Sequence, residues 1–150
     1  QMAAGQAYAD ALTEAQRRGI AETNPRLDVE GWDTANKLTI VANAVLGFDC
    51  TVRDVQPVEG IAGAAARATP DQRVRLVGLA ELREDGGYDL SVRPVALPGQ
   101  HKLAQVDGWQ MGVLFESDLF ESIFISIDER GPTGTAAAML RDVVNLYRTV

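Results

Sequence analysis

The residues best suited to chemistry lie between Gly19 and Lys37, in a polar, turn-rich stretch that runs into a helix. The carboxylates of this stretch belong to Glu22, Asp28, Glu30 and Asp33. Asp33 and Lys37 are four residues apart, so a helix places them on one side, one turn from each other. A lysine ammonium beside a carboxylate-rich loop can exchange a proton with a substrate oxygen.

The same spacing has a purely structural interpretation. An Asp four residues before a Lys is the ordinary helix-stabilising pair, worth a few tenths of a kcal/mol. A loop of Asp, Glu, Asn and Pro is usually a solvated loop. From spacing alone both interpretations stay open, and the structural one is the more common.

A helix after Gly31 must position Asp33 and Lys37. Asp33 is suited to be its cap or its first-turn acid. An apolar face follows, and Gly47 ends the run. The residues of that face are Leu38, Val41, Ala42 and Val45.

The rest of the chain alternates helical and extended patterns. Helices are predicted over residues 5–18 and 135–147, a short Ala-rich helical turn over 62–69, and a helical piece near 103–106. Tyr8, Ala11, Leu12 and Ala15 form the stripe of the first helix, and valines suggest short extended pieces over 49–61. Strands are predicted over 73–83, 88–95, 110–115 and 119–127, with a hairpin turn at 84–87 and Pro94 near a strand end or at an edge. This order predicts an α+β fold, a mostly antiparallel sheet with helices packed on one face, in a single domain over 1–150.

Composition narrows the classes of function. The chain has 150 residues and a net charge of -7, which argues against nucleic acid or an anionic membrane as a partner. No apolar run reaches the length of a spanning helix, and the first residues lack the order of a signal peptide. Cys50 and His101 are each the only residue of their type, so we expect a cytoplasmic setting, no internal disulfide and no metal site.

The stretch from Gly19 to Lys37 resembles the active-site signature of homoserine dehydrogenases, G-x-A-E-x-D/N-P-x-x-D-x-x-G-x-D-x-x-x-K. The matching residues are Gly19, Ala21, Glu22, Asn24, Pro25, Asp28, Gly31, Asp33 and Lys37. The resemblance implies that Glu22 and Asp33 hold an amino acid substrate and that Lys37 is the acid–base residue. Asp28 is either a second substrate carboxylate or the residue of an Asx-turn. Ile20 stands where many members have Tyr.

The resemblance covers nearly the whole chain. Glu59-Gly60-Ile61, residues 91–106 and residues 131–138 resemble further family segments. Lys102 replaces the usual Pro, Met111-Gly112-Val113 replaces N-A-V, and residues 126–131 replace a glycine-rich turn. The chain has no G-x-G-x-x-G, so we expect no dinucleotide fold in it.

The resemblance implies an oxidoreductase that interconverts homoserine and aspartate semialdehyde, a step toward threonine and methionine. The chain is expected to be the substrate-binding and dimerisation half of a longer enzyme, or else a genuinely short homologue. NAD or NADP would be bound mainly by a domain absent from this chain, so the chain alone would be inactive, and a homodimer is implied. The alternative is a non-catalytic amino-acid-binding or dimerisation module: Ile20 and the changed turn favour it, and Glu22, Asp33 and Lys37 oppose it.

Overall fold

The computed structural model describes residues 6–18, 21, 23–61, 69–119, 121–128 and 130–148. Its residues divide into two compact units, Gln1–Gly99 and Gln100–Val150. Helices and antiparallel strands occur as expected, which confirms the α+β class. That residues 1–150 form one domain stays a prediction.

The described residues of the first unit form three α-helices and one hairpin. The helices are α1 (Tyr8–Arg17), α2 (Arg26–Val29) and α3 (Trp32–Leu46), and the strands are β1 (Gln72–Leu82) and β2 (Tyr88–Pro98). The predicted stripe of α1 is partly buried, as a one-sided apolar helix requires. The Ala-rich turn predicted at 62–69 lies outside the described residues, apart from its last residue.

The hairpin forms in the predicted place. β1 and β2 pair antiparallel from Gln72↔Pro98 to Leu82↔Tyr88, and Gly86 takes a positive φ of 81° in the turn between them. Asp85 stabilises that turn by accepting the N–H of Gly87 at 2.9 Å.

Pro94 lies inside β2, because the strand continues to Pro98 rather than ending near Val95. The N–H of Val92 donates to Pro57 O and its C=O accepts from Glu59, so Val92 turns its backbone groups away from β1. Backbone N–H and C=O groups alternate in direction along a strand, so those positions in Pro94, two residues after Val92, also face away from β1. The missing N–H of Pro94 therefore costs the β1–β2 ladder nothing.

α3 packs directly on the hairpin and creates the core. Ala35 and Ala42 are fully buried, with Leu38 packed between them, and Val92 lies beneath them in the same cluster. A side chain on Gly78 of β1 would meet Thr34 Cγ2 at 3.2 Å and Leu38 at 3.5 Å, so a glycine is what lets the helix approach the strand this closely.

The buried face of α3 is shorter than predicted. Val45, in the last helical turn, is 61% exposed, while Ala35, which the sequence analysis left out, belongs to the face. Gly47 ends the helix with a φ of 71°, as its position predicts.

The segment after α3 is tied back to it by side chains. Asn43 Nδ2 donates to Cys50 O at 2.8 Å, and Asn43 Oδ1 accepts the Cys50 N–H at 3.0 Å. The ring of Phe48 stacks on Tyr88 with 4.5 Å between centroids, and the Tyr88 hydroxyl donates to Asp49 O. These contacts connect the end of α3 to β2.

Only part of the 49–61 segment is extended. Val52–Asp54 is a 3-10 turn, because the side chains of Thr51 and Asp54 form a capping box around it. The prediction of an extended piece at Val52 was therefore wrong. Val55 is buried, and Val58 pairs in parallel with Val92 of β2.

The second unit holds a 3-10 turn (Lys102–Gln105), β3 (Gln110–Ser117), β4 (Glu121–Asp128) and α4 (Pro132–Arg148). β4 begins two residues later than predicted, because Leu119 lies in the turn and is 83% exposed. The described strands form two two-stranded sheets, β1–β2 and β3–β4, rather than one ladder. Within the residues described, no helix combines the length and the apolar character that a bilayer crossing requires.

Asn43→Ala should lower the free energy of unfolding by about 1–3 kcal/mol, because it leaves the partly buried backbone groups of Cys50 without partners. Asn36→Ala is the matched control, since Asn36 is exposed on the same helix and gains the same helix propensity. Urea unfolding followed by circular dichroism measures both. Equal midpoints would contradict a stabilising role for Asn43.

Candidate active site

The candidate site is built at the start of α3. Gly31 is the residue that caps the helix, with a φ of +90° and no side-chain cap hydrogen bond, and its C=O accepts the N–H of Ala35 at 3.0 Å. Because a positive φ suits glycine, this position leaves Asp33 to the first turn of the helix. Of the two roles predicted for Asp33, first-turn acid is the one observed.

Asp33 and Lys37 form an ion pair on the first two turns of α3. Lys37 Nζ lies 2.8 Å from Asp33 Oδ2, and the side chains are 55% and 43% exposed, respectively. The helical spacing therefore brings together the two residues that the sequence singled out. Both side chains are partly exposed, so the pair lies where a small molecule can reach it.

Asp28 lies close to this helix start in the chain but contributes through its backbone. It is exposed in α2, and its carbonyl oxygen accepts the Gly31 N–H at 3.4 Å. Glu30, the residue after α2, is paired with Arg26 at 2.9 Å, a hydrogen bond that raises the pKa of Arg26. The use of the Asp28 carboxylate stays a prediction.

Glu22, Gly19 and Ile20 lie outside the described residues. That Glu22 joins Asp33 and Lys37 in one substrate site therefore also stays a prediction.

A second backbone segment supports the start of α3 through contacts that the sequence does not predict. Ile61 donates its N–H to Val29 O at 2.9 Å, at the end of α2. A Cβ on Gly60 would meet Val29 O and would lie 2.9 Å from Glu30 Cα. The only signal in the sequence was the resemblance of residues 59–61 to a family turn, which says nothing about what the turn contacts.

Cys50 and His101 have structural environments. Cys50 is 7% exposed, and its Sγ donates to Asn43 Oδ1 at 3.2 Å. Burial, followed by the negative charges of Asp54 and Asp49, raises the pKa of the Cys50 thiol. His101 Nδ1 accepts the Leu103 N–H at 3.2 Å and so caps the 3-10 turn. In the described part of the chain, no three His, Cys, Asp or Glu side chains are grouped as a metal site would need.

Fold and site together define an α+β protein that presents a lysine–carboxylate pair at the start of a helix, an arrangement suited to acid–base chemistry. A family model described as homoserine dehydrogenase matches residues 1–144. The chain therefore belongs to the homoserine dehydrogenase family.

Named relatives agree with this assignment. The chain is 35% identical to an NAD(+)-dependent homoserine dehydrogenase of Pseudomonas canavaninivorans, over 99% of this chain and 43% of that protein. It is also 35% identical to a homoserine dehydrogenase of Methanocaldococcus jannaschii, over 95% of this chain and 42% of that one. The crystal structure of a homoserine dehydrogenase from Thiobacillus denitrificans matches with a TM-score of 0.83 and 33% identity, over 96% of this chain and 34% of that one. The chain thus spans less than half the length of these relatives.

Cys50 should react with thiol reagents at least roughly tenfold more slowly in the folded protein than in denaturant, because a buried thiol with a raised pKa is neither accessible nor ionised. The pKa of this thiol is higher in the folded protein than in the unfolded chain. Its contribution to stability is therefore fully present below the pKa of the unfolded chain and is lost as the pH rises through the pKa of the folded protein. Alkylation at pH 8 followed by mass spectrometry measures the rate. Equal rates in the two states would contradict the burial.

Proposed function

We propose that this chain is the catalytic, substrate-binding and dimerisation portion of a homoserine dehydrogenase-like oxidoreductase that interconverts homoserine and aspartate semialdehyde with NAD or NADP. The observation that carries the proposal is the 2.8 Å contact between Lys37 and Asp33 on the accessible start of α3, in a chain of this family. The related Pseudomonas canavaninivorans enzyme is named as NAD(+)-dependent, which supports a nicotinamide cofactor.

Lys37 handles the proton in the proposed reaction. A bound nicotinamide supplies the hydride chemistry. When the aldehyde is reduced, the Lys37 ammonium gives a proton to the oxygen that becomes the hydroxyl, and the neutral amine takes it back in the reverse direction. Asp33 keeps the ammonium at the start of α3 or accepts a hydrogen bond from the substrate amine.

The remaining carboxylates would bind the amino acid. Glu22 accepts a hydrogen bond from the substrate ammonium, and Asp28 supplies a second carboxylate. Carboxylates of this kind suit the ammonium group of an amino acid, to which they can form charge-assisted hydrogen bonds.

Most of the cofactor binding belongs to a domain outside these residues. A dinucleotide needs a glycine at a helix start against which its pyrophosphate can lie. Gly31 is a glycine at a helix start, but the space beside it is already occupied. Glu59 O and Val92 Cγ1 lie 2.9 Å and 3.1 Å from the position that a Cβ would take. The helix start therefore fits a proton-transfer role better than a phosphate cradle.

A non-catalytic amino-acid-binding or dimerisation module is the second candidate. Ile20 and the segment 126–131, which replaces a glycine-rich turn, support it. The paired Lys37 and Asp33 argue against it, because a module that only binds has no need of a proton donor.

In the cell, the proposed reaction belongs to threonine and methionine biosynthesis in the cytoplasm. The use of a single, buried cysteine supports that compartment.

Lys37→Ala in the full-length enzyme should leave the fold intact and lower kcat by roughly 10²–10⁴-fold, the usual contribution of general acid–base catalysis. As half of an exposed ion pair alone, Lys37 would be worth under about 1 kcal/mol of stability and nothing in turnover. Lys37→Arg separates the two roles, because arginine keeps the charge but holds its proton at any working pH. It should therefore preserve an ion pair with Asp33 and still lose turnover. Steady-state kinetics with homoserine measure both variants.

Two further variants separate the roles of the carboxylates. Asp33→Asn should lower kcat, because the group that holds the lysine loses its charge. Glu22→Gln should act more on KM, since its contact to the substrate amine exists in ground and transition states alike. A Lys37→Arg enzyme with near-normal kcat would reject the acid–base role and favour the binding module.

We also propose a homodimer that forms through the sheets. The apolar side chains of the second hairpin lie on one face, with Met111, Val113 and Phe115 on β3 opposite Ile127, Ile125 and Ile123 on β4. Ile125 and Ile127 are 52% and 54% exposed. An apolar face of this kind marks an interaction surface, and a symmetric dimer is the commonest closed oligomer.

Ile125→Lys should shift the enzyme from dimer to monomer at micromolar concentration, because it places a charge in the apolar face. Ser122→Lys, on the opposite face of the same strand, should leave the dimer intact. Light scattering measures the mass of both. A wild-type protein that is monomeric throughout this range would contradict the interface.

A further inference from the structure

The start of α3 packs closely against one backbone carbonyl and two valine side chains. Gly31, buried and directly before the helix, has Glu59 O, Val92 Cγ1 and Val58 Cγ1 within 2.9, 3.1 and 3.3 Å of the place where a Cβ would stand. Because these atoms occupy that place, Gly31 packs directly against residues 58–59 and Val92 of β2.

Gly60 makes the complementary contact. A Cβ on Gly60 would meet the carbonyl oxygen of Val29 and would lie 2.9 Å from Glu30 Cα. The N–H of Ile61 reaches the same carbonyl oxygen of Val29 at 2.9 Å. Gly60 thus allows the 59–61 turn to lie directly against the two residues that precede Gly31.

The 59–61 turn is itself anchored to the sheet. Glu59 donates its N–H to Val92 O at 2.8 Å, and Val92 donates its own to Pro57 O at 2.8 Å. Val92 is fully buried in the core beneath α3. A continuous set of backbone contacts therefore connects β2, through the turn, to the start of α3 and the residues Asp33 and Lys37.

We propose that Gly60 is a positioning residue for Lys37. Because Gly60 has no side chain, the turn can fix the junction between α2 and α3. This holds the Lys37 ammonium and the Asp33 carboxylate in a fixed position relative to the substrate. Gly60 itself touches neither the substrate nor the cofactor. This inference rests on the proposed function of Lys37, and it adds a residue to which no role had been given.

The test is Gly60→Ala in the full-length enzyme. The φ of Gly60 lies outside the positive region, so alanine can adopt this backbone conformation. The only effect of the substitution is the clash of the new Cβ with Val29 and Glu30. We expect kcat for homoserine to fall by roughly 10- to 100-fold with KM changed much less, as a displaced catalytic group produces. Gly134→Ala is the matched control, because no described residue outside its own stretch of helix has an atom within 4 Å of its Cβ position, and its kcat should stay normal.

A double-mutant cycle separates positioning from general damage. If Gly60 acts through Lys37, Gly60→Ala should cause almost no further loss of kcat in a Lys37→Ala background. If it only reduces the folded fraction, the two losses multiply, and the proposal is rejected. A normal kcat for Gly60→Ala alone would reject it as well.

A second variant covers the case in which Gly60→Ala does not fold. Val58→Ala removes the methyl groups that pack against Gly31 without adding an atom to the turn. It should lower kcat in the same direction by a smaller factor, and again without a further effect in the Lys37→Ala background. Independent losses here would also overturn the proposal.

Hydrogen exchange tests the positioning role of Gly60 independently of turnover, because it reports on the backbone at the start of α3. Normal turnover in Lys37→Ala would reject the proposed function while leaving the contact of Gly60 open to measurement. Backbone amides of residues 29–37 should then still exchange faster in Gly60→Ala than in Gly134→Ala. Equal exchange in the two variants would show that Gly60 does not hold the start of α3.

Discussion

The structure of the first unit depends on how closely α3 approaches the β1–β2 hairpin. Ala35 and Ala42 are fully buried small residues of α3, and the absent side chain of Gly78 makes room on β1 for Thr34 and Leu38 of the helix. Interiors of proteins are close-packed, so these residues fix the distance between α3 and the hairpin. The rest of the unit, including Leu38 and the stacked Phe48 and Tyr88, packs around that contact.

The candidate site inherits its geometry from this packing. An exposed ion pair such as that of Lys37 and Asp33 is typically worth under about 1 kcal/mol, too little to orient a helix. The helix must therefore be held by other means: the apolar face from below, and the backbone of Gly31 and the 59–61 turn at its end. Because packing and not the ion pair holds α3, the fold does not depend on Lys37 and Asp33, and the two side chains are available for the proposed proton transfer.

Local patterns were sufficient to predict most of the elements. Helical and alternating periodicity located α1, α3, α4 and all four described strands, and the glycine at 86 located the hairpin turn. The errors occurred where a neighbouring residue overrode the pattern. Thr51 and Asp54 turned an apparently extended Val52 into a 3-10 turn, and an apolar Leu119 fell in a turn rather than in β4.

The site divides in the same way. Four-residue spacing within one helix predicted the Lys37–Asp33 contact, since a helix makes such neighbours whatever surrounds it. The contacts of Gly60 with Val29 and Glu30 join residues about thirty positions apart and use only backbone atoms. A sequence carries no side-chain signal for a contact of that kind, beyond the presence of a glycine.

The orientation of Pro94 has a consequence for how the protein behaves in a crowded solution. The side of β2 that faces away from β1 offers hydrogen-bonding groups at Leu90 and Val92, and residues 56–59 already use them. The next position along that side is Pro94, which has a carbonyl but no N–H to donate. A foreign strand that paired with β2 at Pro94 would lack one hydrogen bond of the ladder, so this edge resists templated aggregation.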